Sequence, residues 1–324
     1  ASTIKINRQD MSSSEGTWGT GTSLNSNATS SDTAVASAGN TANVTIATDA
    51  DMSDNAVSIS IAGTTLSFGT GELSGDQDAA TTAITAAINA LGLEGVTASV
   101  NSGSANQIDI TSTRAFEDVS LSATGATASA ATIAERSESV DLFTSAKVND
   151  GDGYRVTVGG SAYSYVAGKG ETMADVARGL KTAIDGGGQT GVTTSVTQDD
   201  TTGQWTLKID NDGTGSSSLS LSVVGNAGGT ASGGLFGLQN IDVSTQNGAK
   251  AALSNIDTLI GNSIDAAASF GSAQGRISSQ SDFVGKLSSA LKSGIGSLVD
   301  ANMEETSARL QALQVQQQLG VQAL

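Results

Sequence analysis

The hexapeptide GVTASV at residues 95–100 returns as GVTTSV at residues 191–196, one substitution apart and roughly a hundred residues later. Working outward from each copy extends the match. Ahead of the first, VSISIAGTTLSF alternates at Val57, Ile59 and Ile61, turns at Ala62-Gly63, and resumes at Leu66 and Phe68. Period-two alternation across a tight turn predicts a hairpin. DQDAATTAITAAINALG follows, with Ile84, Ile88 and Leu91 on one helical face, Asp76 and Asp78 at the start, and Gly92 as a stop. After the hexapeptide come strand patterns on Ile108 and Ile110 and on Val119 and Leu121. The second copy keeps this order. It has a hairpin on Tyr154, Val156 and Val158 with Tyr163 and Tyr165, and a helix on Met173, Val176, Leu180 and Ile184. Strands WTLKID and LSLSVVG close it. The pattern predicts a duplicated ββαβββ unit, each copy a small two-layer domain.

From Gly248 the period changes to that of a helix. Leu253, Ile256, Ile260, Ile264 and Ala267 share one face, followed by Val284, Leu287, Leu291, Ile295, Leu298 and Met303, then Leu310, Leu313 and Leu324. Three-and-four spacing sustained this long, with Ser, Gln and Gly outside, predicts long helices of coiled-coil type. A single narrow apolar face cannot bury itself, so these residues are the candidate subunit-packing set. The chain then divides into seven stretches. An edge strand on Ile4-Lys5-Ile6 and a flexible linker occupy 1–40, a first β-rich repeat 41–125 and a connector 126–150. A second repeat (151–234), a second connector (235–247), a helical rod (248–300) and a terminal helix (301–324) follow.

Composition narrows the function. The formal net charge is −17 and the sequence pI about 4.1, so nucleic acid and anionic membrane surfaces are poor partners. No run approaches the 18 or so apolar residues that span a bilayer. Cys, His and Pro are all absent. Disulfides, thiolate nucleophiles, thiolate metal sites and the commonest general base go with them. No catalytic, cofactor or metal site is expected. The chain begins at Ala1 without Met, so a processed or truncated product is expected.

SFGSAQGRI (269–277), FVGKLSSALKSGIGSLVDA (283–301) and LVDANMEETSARLQALQVQQQLGVQAL (298–324) resemble the C-terminal conserved region of bacterial flagellin, in its alphaproteobacterial form. The duplicated unit is similar to the flagellin and hook-associated motif named for an Ile-Asn pair, here Ile88-Asn89 and, with a departure, Ile184-Asp185. The resemblance implies an α+β subunit of the extracellular flagellar filament, serving motility. Two duplicated ββαβββ outer domains would precede long C-terminal coiled-coil-like helices. It implies other flagellin subunits as homopolymer partners, with hook-associated cap and junction proteins and an export chaperone beside them. The family's N-terminal helical region has no match here, and its terminal helix continues beyond the position of Leu324. The chain is therefore expected to be the C-terminal two-thirds of such a subunit. The alternatives are a surface module that binds glycan or receptor through the duplicated units, or a hook–filament junction protein.

Four further features have competing readings. Asn149-Asp150-Gly151-Asp152-Gly153 and Asp210-Asn211-Asp212-Gly213 carry calcium-type ligands without EF-hand spacing, and the same residues build turns. Tyr154, Tyr163 and Tyr165 suit a buried hairpin face better than a sugar-stacking platform. Trp18, between Gly-rich neighbours, reads as a local anchor rather than a ligand-stacking ring. Glu304, Glu305 and Arg309 lie together on the terminal helix, as a helix-surface pairing or an inter-subunit bridge.

Overall fold

A computed structural model describes residues 10–241, 243–244 and 246–322, and the expected edge strand at residues 4–6 lies outside them. The chain is α+β, with β-sheets followed by a long C-terminal helix. It divides into two units, one of residues 10–263 and one whose described residues are 264–322. All sixteen strands among the described residues lie in the first, as four four-stranded sheets.

Two short strands come first, β1 (Ala28–Ser30) and β2 (Ala34–Ala36). Next are β3 (Asn40–Ile46), the hairpin β4 (Val57–Ile61) and β5 (Thr64–Phe68), and helix α1 (Gln77–Ala90). β6 (Val96–Val100), β7 (Gln107–Ser112), β8 (Val119–Thr124), β9 (Ala126–Ala128) and β10 (Thr132–Ile133) follow. They make sheets of order β10-β8-β4-β5 and β6-β7-β3-β9. Alternation sends Val57, Ile59 and Ile61 inward, where they meet Val44, Ile46, Ile84, Ile108 and Ile110 in one core. Asp76 caps α1, accepting from Ala79 N at 3.0 Å. At its other end the Asn89 amide clamps β6, donating to Ala98 O and accepting from Ala98 N, both at 2.8 Å.

The later half runs β11 (Glu138–Leu142), β12 (Gly153–Val158), β13 (Ser161–Val166), α2 (Met173–Gly186), β14 (Val192–Gln198), β15 (Trp205–Asn211) and β16 (Ser218–Asn226). Its sheets are β13-β12-β16-β2 and β14-β15-β11-β1. Tyr154, Val156, Val158, Leu180, Leu207 and Ile209 form a second core, together with Val35 from β2. Asp185 near the end of α2 accepts from Thr194 Oγ1 at 2.6 Å and pairs with Lys181, both charges buried. Tyr165 O–H donates to Glu171 at 2.9 Å, and Gly168 N–H donates to the same carboxylate at 3.0 Å. Burial raises the pKa of Glu171 and raises that of Tyr165 further.

The structure differs from the sequence reading in three places. Residues 10–36 are not a linker. Isolated bridges join Thr17 to Thr230 and Ser23 to Asn226, while β1 and β2 pair with β11 and β16. The 126–150 stretch likewise holds β9, β10 and β11. Each of these short strands brings at most two residues to a core, too few for alternation to register. Their stability comes from the strands they pair with, β1, β2, β9 and β10 completing sheet edges and β11 lying between β1 and β15. Third, the rod and terminal helix are one element, α3 (Gln246–Gln322), of 77 residues. The chain has no proline to break it. Around its glycines from Gly261 onward, Gly271 and Gly285 among them, an added Cβ would meet nothing within 4 Å.

Candidate assembly surface

Within the larger unit, the start of α3 presents two faces. Ala252, Asn255 and Leu259 are buried, and Asn262 Nδ2 donates to Gly234 O at 3.0 Å. The predicted stripe lies on the other side, with Leu253 66%, Ile256 40% and Ile260 52% exposed. The face of Ala252, Asn255, Leu259 and Asn262 therefore packs on the β-rich body, burying Leu259 and tying Asn262 to Gly234. The large aliphatic face is left to solvent.

The second unit carries the remaining predicted residues. Ile264, Val284, Leu287, Leu291, Ile295, Leu298, Met303, Leu310 and Leu313 are all exposed, and Leu324 lies outside the described residues. Further members went unassigned in the sequence reading: Phe270, Ile277, Phe283, Val299, Val315, Leu319 and Val321. Phe270, Ile277, Val284, Leu291 and Leu298 recur every seventh residue, the spacing of a coiled-coil seam. That period was available in the sequence, but Gly, Ser and Gln between Phe270 and Val284 interrupt the three-and-four count. Burying one such side chain is worth about 1.5–3 kcal/mol, so the exposed set holds a large amount of unrealised burial energy. After Arg309 no charge interrupts the helix, and Arg309 pairs along it with Glu305 at 2.9 Å.

The competing sites resolve into local structure. Tyr154 and Tyr165 are core residues, and half-buried Tyr163 donates to Gln189 at 3.3 Å. Asp152 accepts from Asn149 N at 2.8 Å and Nδ2 at 3.1 Å, and Asp212 accepts from Thr214 N at 2.8 Å, as turn residues do. Asp210 is held by Arg136 through two bonds of 2.8 and 2.7 Å, which raise the pKa of the guanidinium. Trp18 lies under the Arg155 guanidinium, 4.1 Å from it. Among the described residues no group of three or more acidic side chains is placed to hold a metal, and no helix is long and apolar enough to cross a membrane.

Comparison with known proteins addresses the same stretch. The family described as the bacterial flagellin C-terminal helical region matches residues 253–324. Flagellin A of Rhizobium meliloti is 54% identical over 74 residues, covering 23% of this chain and 19% of that protein. Flagellin D of the same organism is 45% identical over 92 residues, covering 27% and 23%. Flagellin FljM of Caulobacter vibrioides is 41% identical over 92 residues, covering 28% and 34%. The chain thus matches about a fifth to a third of the length of these relatives. Among solved structures, the D1-D2-D3 domains of the Escherichia coli flagellar cap protein FliD give a loose likeness, with TM-score 0.22 and 13% identity over 76% of this chain and 57% of that one. Over residues 253–324 this chain is therefore similar to the bacterial flagellin C-terminal helical region and to flagellins of Rhizobium meliloti and Caulobacter vibrioides.

Proposed function

We propose that this chain acts as a flagellin: a structural, non-catalytic subunit of the extracellular flagellar filament that polymerises with other copies for cell motility. The observation that carries the reading is the exposed aliphatic stripe on the helix whose sequence matches flagellins. Leu253, Ile256, Ile260, Ile264, Val284, Leu287, Leu291, Ile295, Leu298, Met303, Leu310, Leu313 and Leu324 are its packing residues. Cap and junction proteins and an export chaperone are further partners under the same reading. The test is sedimentation of mixtures with an alphaproteobacterial flagellin under polymerising conditions. The chain is expected in the pellet, and its Leu291→Asp/Leu298→Asp variant in the supernatant with an unchanged β-sheet circular dichroism signal. Equal pelleting of both would overturn the assignment.

We also infer that the two halves of the larger unit are copies of one ββαβββ unit. Matched pairings support this: β4 with β5 and β8 as β12 with β13 and β16, and β7 with β3 and β6 as β15 with β11 and β14. In this correspondence Asn89 and Ala98 answer to Asp185 and Thr194. A neutral amide clamp in one copy is a buried ion pair with a hydroxyl donor in the other.

A further inference from the structure

The strands that close each half come from unexpected parts of the chain. β9 and β10, which follow the first copy, pair with β3 and β8 and complete its two sheets. β1 and β2, which precede the first copy, pair instead with β11 and β16 and complete the sheets of the second. The two strand pairs occupy equivalent places in detail. Ser31 N donates to Ser139 O at 2.8 Å and Ser129 N to Asn43 O at 2.8 Å. The same two serines accept through Oγ, from Ser139 N and from Asn43 N, again at 2.8 Å each. Leu221 N donates to Thr33 O at 2.7 Å and Leu121 N to Ala131 O at 2.9 Å. Val35 and Ile133 fill matching core positions, at 0% and 2% exposure. The sequences agree as well: ATSSDTAVA at residues 28–36 against ATASAATIA at residues 126–134.

We propose that each strand pair is the leading segment of its own tandem copy and that the two copies have exchanged them, each closing the sheets of the other. The proposal rests on reading the halves as copies of one unit. In chain order the repeat is then a strand pair followed by a β-ββαβββ body, twice over. Exchange interlocks the halves, because neither can withdraw with complete sheets. The two crossing segments also run together. Asn40 Nδ2 donates to Ala134 O at 3.1 Å and Glu135 O at 2.8 Å, while Arg136 and Glu135 reach to Asp210 and Lys208 of the second half. Separating the halves means stripping two β-pairs rather than bending a linker.

The chain has no native cysteine, so engineered disulfides test the exchange directly. Thr29 lies opposite Asp141, and Thr45 opposite Thr127. Thr29→Cys/Asp141→Cys and Thr45→Cys/Thr127→Cys are expected to crosslink within one chain, and Thr29→Cys/Thr45→Cys not to crosslink. A disulfide in the third variant, or one joining two chains in either of the others, would overturn the proposal. Equivalence is tested by replacing residues 28–36 with ATASAATIA in the full chain. The graft is expected to keep the thermal midpoint read by Trp205 fluorescence, while a scrambled nonapeptide loses it. A graft as damaging as the scramble would remove the equivalence and leave the filament reading, judged by sedimentation, untouched.

Discussion

Replacing Lys181 by Met tests how the second half holds its helix to its sheet. The Lys181 and Asp185 side chains are 9% and 3% exposed, so the carboxylate left behind would be buried with Thr194 Oγ1 as its hydrogen-bond donor. Removing one partner of such a pair costs about 3–5 kcal/mol, and the surviving hydroxyl bond places this case near 3. Met keeps most of the buried stem, which limits the packing contribution to below about 1.5 kcal/mol. At about 2 kcal/mol per molar urea, the midpoint falls by roughly 1.5 M. Trp18 and Trp205, the two tryptophans of the chain, both pack in this half, so fluorescence follows its unfolding selectively. Adding Asp185→Asn to Lys181→Met removes the stranded charge and is expected to recover most of the loss. An unchanged midpoint in the single variant, or no recovery in the double, would show that the buried charge is not what the lysine offsets.

Asn89→Ala is expected to destabilise the first half by about 1–3 kcal/mol, since Ala98 loses a partner for both its N–H and its C=O; hydrogen exchange of the β6 amides reads it, and unaltered protection counts against the clamp. Adjacent residues on α3 should behave oppositely. Leu259→Ala lowers the thermal midpoint of the monomer, with a cost of about 2–5 kcal/mol, whereas Ile260→Ala leaves the midpoint in place and weakens polymerisation. The raised pKa of Glu171 means the folded state binds its proton more tightly than the unfolded chain. Stability of the second half should therefore rise as pH falls from neutral toward the ordinary carboxylate range, and decline as pH rises through the folded pKa. Glu171→Gln should flatten that slope in urea titrations, and a slope that survives the substitution would assign it elsewhere.

Periodicity made the long elements legible. Ile84 and Ile88 placed α1, Val57, Ile59 and Ile61 placed β4, and the hexapeptide at 95–100 located β6 and, through its echo, β14. The tail stripe was legible as one face of a helix, and its exposure follows from the absence of any second long helix among the described residues. Strands such as β2 and β10 were not legible, because Val35 and Ile133 are single apolar residues among Ser, Thr and Ala. Nor did the pattern reveal the second face of α3, where Ala252 is small, Asn255 is polar and Leu259 is a single large apolar residue beside the stripe of Leu253, Ile256 and Ile260.

The long elements along this chain were thus determined by the sequence itself: where the long strands and helices lie, and which helical face is aliphatic. These depend on side-chain spacing within a few residues. Only the tertiary structure decided which edge each short strand closes and which face of α3 meets the β-rich body. Those choices depend on open backbone donors and acceptors, and on shape, supplied by segments up to roughly two hundred residues away.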